Sequence, residues 1–192
     1  MCSVLTWPAF AQTTDAAKLT APVVVIVDTS RIQREALAGK AITAQREKFQ
    51  QSFQSEFEPA RKQLQQQEME LAKQRSAMNP QTFEQKARAF EEEAAAFNRR
   101  TQAASRALDK STATAHNELQ RATIEVTSEV ASELGAGLVL HKQTVFLHDP
   151  RMDVTDRIIE RLNKRLPTVA FPPPELEAPA GTPTAPPKPG KK

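Results

Sequence analysis

Apolar positions recur every three or four residues through most of the chain, whereas short β-branched runs occur only before and after this stretch. The helical pattern covers residues 39–134, in which no glycine occurs after Gly39 and only Pro59 and Pro80 interrupt the helix-forming residues. We expect Pro59 to kink or break its helix, because proline lacks the backbone N–H and clashes with the preceding turn.

The second half of this stretch has the clearer apolar stripe. Its members alternate at steps of four and three, the period of a coiled-coil seam, with one step of eleven before Leu119. The first half is looser, because Gln67 and Gln74 fall on its apolar face. The predicted seam consists of Ile42, Phe49, Phe53, Ala60, Leu64, Leu71 and Met78 outbound, and Phe83, Ala87, Phe90, Ala94, Phe97, Thr101, Ala104, Leu108, Leu119, Ala122, Val126, Val130 and Leu134 on return.

A break at Asn79-Pro80 turns this helical stretch into a hairpin. Asparagine is a good N-cap and proline suits the first helical position, although Thr82 with Gln85 also fits a capping box. At 1.5 Å per residue, two arms of this length would each span about 60–80 Å. Such arms exceed the needs of a globular domain, so most of their surface should remain in solvent.

Three short strands are predicted around the hairpin. The first is Val23–Val27, and Leu138–His141 with Val145–His148 is expected to form a β-hairpin. We expect Ser30 to cap a short helix, a turn or loosening at residues 38–40, and Asp153 or Thr155 to cap a last amphipathic helix. The predicted fold class is therefore α+β, mostly α: a long antiparallel helical hairpin on a small β-containing body (23–38 and 135–166).

A body of about sixty residues forms only a marginal core. We therefore expect subunits to associate through the strands and to share the body. The residues assigned to this oligomerisation body are Val23, Val25, Val27, Leu138, Leu140, Val145 and Leu147.

The two ends of the chain differ in composition from the part between them. Ala9-Phe10-Ala11 has the form of a signal-peptidase site, so residues 1–11 are interpreted as the remnant of a signal peptide and residues 12–22 as a disordered leader. A flexible cytosolic N-terminus is the alternative, and cysteine usage does not decide the compartment. Residues 167–192 are rich in proline and are predicted to form a disordered tail, whose role the sequence leaves open.

Composition and motifs favour a binding protein over an enzyme. The net charge of +3 is too small to indicate a dedicated nucleic-acid binder, and no run of residues approaches a membrane span. No phosphate loop or nucleophile–base set is present. His116, His141 and His148 would make a poor metal site without a further ligand. We predict no enzyme, no metal and no cofactor.

Both ends of the 23–166 region resemble the OmpH/Skp family of periplasmic chaperones. At the start, the resemblance lies in residues 23–28, Arg31-Ile32 and Ala38-Gly39-Lys40-Ala41; at the end, it lies in residues 138–140, 145–146, 149–150 and 153–164. The resemblance implies a homotrimer in which a small β body holds three helical hairpins around a cavity. It also implies ATP-independent holding of unfolded outer-membrane proteins in the periplasm.

A holdase of this kind would use many weak apolar contacts on a mobile charged surface. Phe57 and Met69 fall off the predicted seam and are the candidates for contact with clients. Lys73, Arg75, Lys86 and Arg88 give the hairpin a basic tip that could meet anionic lipid or acidic client segments. Two alternatives stay open: a structural coiled-coil spacer in an envelope complex, and a basic-tipped binder of membrane or nucleic acid.

Overall fold

A computed structural model describes residues 21–176 of the chain, and two long helices dominate it. The hairpin lies between a strand and short helix that precede it and a strand and short helix that follow it. Two 3-10 turns, Lys142–Thr144 and Pro150–Met152, connect the last elements. The regular elements are β1 (Val23–Val27), α1 (Thr29–Glu35), α2 (Leu37–Gln74), α3 (Pro80–Glu133), β2 (Ala136–His141) and α4 (Thr155–Arg165).

The reversal between α2 and α3 lies where the sequence predicted it. The Asn79 side chain accepts a hydrogen bond from the backbone N–H of Gln81 at 2.9 Å, so Asn79 and not Thr82 is the N-cap. At its other end α3 is closed by Gly135, whose φ of +65° is a left-handed conformation that glycine adopts without strain. The long antiparallel hairpin is confirmed.

Helix α2 is continuous where we predicted interruptions. It passes through Pro59 without a break, and it already begins at Leu37, so residues 38–40 are helical and do not form a turn. Gly39 is required there because α1 crosses close to it: a Cβ at this position would lie 1.9 Å from the carbonyl oxygen of Gln33. The glycine therefore serves a close approach of two helices.

The predicted cap of α1 was wrong by two residues. Asp28 is the N-cap, and its Oδ1 accepts a hydrogen bond from the backbone N–H of Arg31 at 2.9 Å. Ser30 lies inside the helix, and its Oγ instead accepts from the Gln143 side chain at 2.6 Å. Aspartate and serine are equally good caps, so sequence spacing alone could not separate them.

The sheet contains two strands among the described residues, and these strands are parallel. β1 pairs with β2, with Val25 opposite Val139 and Val27 opposite His141. The predicted third strand and its hairpin were wrong, because residues 142–144 form a 3-10 turn and residues 145–149 are irregular. Among residues 21–176 no strand pairs with the outer edge of β2, so the β-propensity of residues 145–148 has no partner there.

The hydrophobic core lies at the base of the hairpin. Because α3 is longer than α2, its last turns pass the start of α2 and pack against α4. Ile158 and Leu162 of α4 are fully buried there, as predicted from the apolar face of this helix. The core cluster comprises Val27, Ile32, Ala36, Ala38, Ile42, Ala115, Leu119, Val126, Val130, Ile158, Leu162 and Val169.

The segment after α4 is packed, which corrects our prediction of disorder from residue 167. Residues 167–176 form no helix or strand, but Val169 is buried in the core and the ring of Phe171 stacks on Phe49 of α2 at 5.6 Å between centroids. Proline excludes regular structure without excluding packing. The predicted signal peptide, leader residues 12–20 and tail residues 177–192 lie outside the described residues.

Candidate interaction surfaces

Polar side chains join the two arms in the outer half of the hairpin. Gln63 and Gln67 of α2 each donate a hydrogen bond to the carboxylate of Glu93 on α3, at 3.0 and 2.9 Å. Nearer the tip, Lys86 donates to the side chain of Gln74 at 3.4 Å. The glutamines that interrupt the apolar stripe therefore lie in the interface, where directional bonds fix the register of the arms as buried polar groups do in coiled coils.

An aromatic cluster lies between this polar layer and the body. The rings of Phe53 and Phe57 stack at 6.0 Å between centroids, and Phe97 of α3 meets Phe57 edge-on at 6.1 Å. The guanidinium of Arg100 lies 5.4 Å from the Phe57 ring centroid and is paired with Glu56 at 2.5 Å. These phenylalanines line an open groove of about 600 Å³ between the arms, with Arg46, Arg61 and Asp109 at its margins.

The prediction that Phe57 falls off the seam was wrong. Phe57 is half-buried between the arms, whereas Ala60, which a strict three–four alternation places inside, is exposed. On α2, Phe49, Phe53 and Phe57 are separated by two consecutive steps of four residues. This spacing shifts the apolar stripe around the helix, so that Ala60 no longer faces the other arm. Met69 is 54% exposed, so this candidate for contact lies on an accessible surface.

The tip of the hairpin carries the predicted basic side chains on its surface. Lys73, Arg75, Lys86 and Arg88 are all exposed. Lys73 and Arg88 contact acidic residues of their own helices, Glu70 at 3.5 Å and Glu84 at 2.5 Å. Exposed pairs of this type contribute little to stability, and their charges remain available to an anionic partner.

The body exposes apolar side chains on its two strands and on the irregular segment that follows them. Phe146 and Leu147, from the predicted third strand, lie on the surface with 105% and 84% of their area exposed. Val23 and Leu138 are also exposed, while Leu140 and Val145 are half-buried. This set, which we call the edge surface, is defined as Val23, Leu138, Val139, Leu140, Val145, Phe146 and Leu147.

Two residues assigned to the oligomerisation body do not lie on this surface. Val25 and Val27 retain only 4% and 3% of their exposed area, because they are buried within their own subunit. Strand β1 is covered by β2 on one edge and bridged through Ile26 to Asp153 on the other. Sequence alone marks these valines as buried but does not show which chain buries them.

A comparison with protein families finds a match that covers most of the described residues. Residues 23–162 match the family model described as Outer membrane protein (OmpH-like). The chain belongs to the OmpH-like family. The resemblance inferred from the two ends of the sequence is thereby confirmed.

A solved structure shares the OmpH-like fold of this chain. It is the crystal structure of a candidate outer membrane chaperone (OmpH-like) from Caulobacter crescentus CB15, 23% identical in sequence, with a TM-score of 0.70. The similarity covers 82% of this chain and 94% of that chain. A comparison with curated proteins found no match. The mostly helical fold with a small two-stranded sheet is confirmed as the fold of this family.

A polar network that the sequence did not predict joins the strands of this OmpH-like body to α4. Thr155 donates its hydroxyl to Asp153 at 2.5 Å and accepts from the backbone N–H of Asp28 at 2.9 Å, and Lys142 donates to Asp153 at 2.8 Å. Burial alone would raise the pKa of Asp153, but the bonds from Lys142 and Thr155 outweigh it and lower the pKa to about 2. An Asp-x-Thr pair was the available signal, which we interpreted only as a helix cap.

Ion pairs tie α3 to α4 across the surface of the body. Glu133 receives hydrogen bonds from Arg161 at 2.6 Å and Arg157 at 2.5 Å, and Arg165 reaches Glu129 at 2.8 Å. The hydrogen bond from Arg161 and the charges of both arginines lower the pKa of Glu133. Each pair is exposed and individually weak, so the ladder orients α4 more than it stabilises the fold.

Features of other protein classes are not found between residues 21 and 176. None of the helices described there is long and apolar enough to cross a membrane. In the same range no three His, Cys, Asp or Glu side chains come together as a possible metal site. His141 ends β2 and His148 lies in the irregular segment after it, because the predicted β-hairpin does not form.

Proposed function

We propose that this OmpH-like protein is an ATP-independent holdase chaperone of the periplasm, which binds unfolded outer-membrane proteins along its helical arms and prevents their aggregation. The observation that carries the proposal is the arm itself: from residue 43 to residue 103 the chain is helical apart from the tip, and no residue is fully buried. An arm about 60 Å long with a thin seam stabilises little on its own, so its length serves contact with something else.

The surface of the arm has the properties that weak, general binding needs. Its apolar groups are either exposed singly, as Met69 is, or gathered in a shallow groove, as Phe53, Phe57 and Phe97 are. Charged side chains surround them. Unfolded chains of many sequences can contact such a surface through small apolar areas and leave again without an energy source.

We further propose that the body forms a homotrimer through the edge surface. The outer edge of β2 has no partner strand among the described residues, and Phe146 and Leu147 are almost fully exposed; both features are unfavourable in water, and contact with a neighbouring subunit would cover them. The number three comes from the resemblance to the family. Replacing Phe146 and Leu147 together by serine should shift the mass measured by light scattering during size-exclusion chromatography towards the monomer. An unchanged mass would assign the contact elsewhere.

The function is tested by light scattering of a urea-unfolded outer-membrane β-barrel protein diluted with and without the full chain. Suppression should saturate as trimer and client reach equal molar amounts. Met69→Ser should weaken suppression, while Ala72→Ser, a matched change at an exposed position one turn along α2, should not. A folded, helical chain that leaves aggregation unchanged would exclude the holdase and favour a spacer in an envelope complex.

A further inference from the structure

The segment after α4, residues 167–176, crosses from the body to α2; we call it the strap. Val169 is buried in the core, and two residues later the ring of Phe171 stacks on Phe49 at 5.6 Å between centroids, with 16° between the ring planes. The family match ends at residue 162, before the strap begins. The contact with the arm is therefore made by a part of the chain that the family pattern does not include.

Phe49 is one end of a row of aromatic side chains on α2. Phe49, Phe53 and Phe57 follow each other at steps of four and therefore lie on one face of the helix. Phe53 and Phe57 line the open groove between the arms, whereas Phe49 is covered by Phe171. The strap thus occupies the base end of a surface whose outer end is accessible.

We propose that this aromatic row is a binding surface for irregular polypeptide segments that carry an aromatic side chain, and that the strap is a built-in occupant which competes with clients for its base end. The strap itself shows what the surface accepts: a segment without helix or strand, which contacts the aromatic row through one phenylalanine. The competition with clients rests on the proposed holdase function.

The residues of the strap favour reversible over permanent occupation of the aromatic row. Pro172, Pro173 and Pro174 prevent a helix after Phe171 and keep the segment irregular, as an unfolded client is. The stacking contact on Phe49 is weak and reversible, and the partly buried ring of Phe171 packs only against the outside of the core cluster. Val169 remains anchored in the core, so Phe171 can leave Phe49 without unfolding the body.

The docking is tested with a fluorescent peptide of residues 167–176, Pro-Thr-Val-Ala-Phe-Pro-Pro-Pro-Glu-Leu, added to the full chain and to its Phe171→Ala variant. Removing the built-in ring should expose Phe49, so fluorescence anisotropy should show about three- to tenfold tighter binding to the variant. Phe83→Ala removes the same side chain near the tip and should bind as the unchanged chain does. Equal affinity for the chain and its Phe171→Ala variant would overturn the proposal, as would equal binding of a peptide whose phenylalanine is alanine.

Competition is tested by adding a urea-unfolded outer-membrane β-barrel protein to the Phe171→Ala variant with peptide bound. Displacement of the peptide supports a shared surface, and retention of the peptide while aggregation is still suppressed overturns the competition but leaves the holdase function standing. Absence of suppression by the unchanged chain would instead remove the proposed function, with peptide docking still measurable. Phe171→Leu retains apolar bulk without a ring and should bind the peptide with intermediate affinity. It also serves as a second variant for the test if Phe171→Ala does not fold.

Discussion

The body and the outer arm, residues 43–103, have similar helical sequence patterns but differ strongly in the fraction of residues that they bury. Helix α3 contributes ten buried residues between Ala104 and Ala131, whereas no residue of the outer arm is fully buried. The stripe repeats with nearly the same period in both regions, so periodicity does not set burial. The difference comes from neighbours: near the body α3 packs against α2, α4 and β2, while further out each arm has only the other.

The sharpest test of this comparison is one leucine-to-alanine change in each region. Leu119→Ala removes a side chain that is 1% exposed in the core and should lower the free energy of unfolding by about 2–5 kcal/mol. Leu71→Ala makes the same change in the half-buried outer arm and should cost about 1 kcal/mol or less. Urea denaturation followed by circular dichroism measures both. Equal losses would mean that the arm is as well packed as the body.

The next largest effect is expected where the arm enters the body. Gly39→Ala would place a Cβ 1.9 Å from the Gln33 carbonyl oxygen and should destabilise by about 3 kcal/mol, because backbone must move. On a solvent-exposed helix the same change would raise the free energy of unfolding by about 1 kcal/mol. The sign of the measured change therefore shows whether α1 lies close to position 39. The exposed neighbour Lys40 is the control: Lys40→Ala should change unfolding by less than about 0.5 kcal/mol.

A smaller effect, confined to the body, should appear as pH dependence. The pKa of Asp153 is lowered to about 2 in the folded chain, so its contribution is complete above pH 4 and is lost as the pH falls towards 2. The hydrogen bond to Asp153 raises the pKa of Lys142, so the contribution of the lysine is lost only at strongly alkaline pH. Lys142→Met should therefore destabilise the folded chain at neutral pH and flatten the acid dependence.

Unfolding curves from pH 2 to pH 7 would measure this effect in the chain and in the variant. Lys164→Met, which breaks an exposed pair with Glu160 at 2.8 Å on α4, is the matched control and should retain the acid dependence of Asp153. Identical acid profiles for the unchanged chain and Lys142→Met would show that Lys142 does not hold the aspartate ionised.

The smallest effect on stability is expected at the tip. Replacing Lys73, Arg75, Lys86 and Arg88 by glutamine removes exposed charges and should change the free energy of unfolding by less than about 1 kcal/mol. Binding to anionic vesicles should nevertheless weaken, by up to about 1 kcal/mol for each basic residue that reaches the lipid surface. Vesicle co-sedimentation measures this, and unchanged binding would remove the lipid contact from the proposal.

Sequence patterns predicted those features that depend on local chemistry. The strand at Val23–Val27, the Asn79 cap and the α3 stripe as far as Val130 all follow from propensity, capping and periodicity, and all are present. The OmpH-like fold also followed, because residues at both ends of the hairpin carry the family pattern.

Several misses depend on which surface a residue meets. Residues 145–148 have strand propensity, but no strand in the part of the chain that the structure describes pairs with them. Phe57, unlike Ala60, faces the ring of Phe97 and the Arg100 guanidinium. Phe171 lies among prolines, which indicate irregular backbone. The residues next to it in the sequence do not indicate that its ring contacts Phe49 on another helix. The propensity of a segment predicts its backbone conformation but not the residues that it contacts.

The unequal lengths of the two helices give the molecule a mechanical property. α3 runs without interruption from the tip into the core, so it acts as a rigid lever whose fulcrum lies among the buried residues beyond Ala104. For an arm of about 60 Å, a tilt of about 5° at the fulcrum displaces the tip by roughly 5 Å. Ångström-scale adjustments of side chains around Leu119 and Val126 are thereby magnified at the far end. The space enclosed by several such levers would follow the size of its contents with almost no rearrangement of the core.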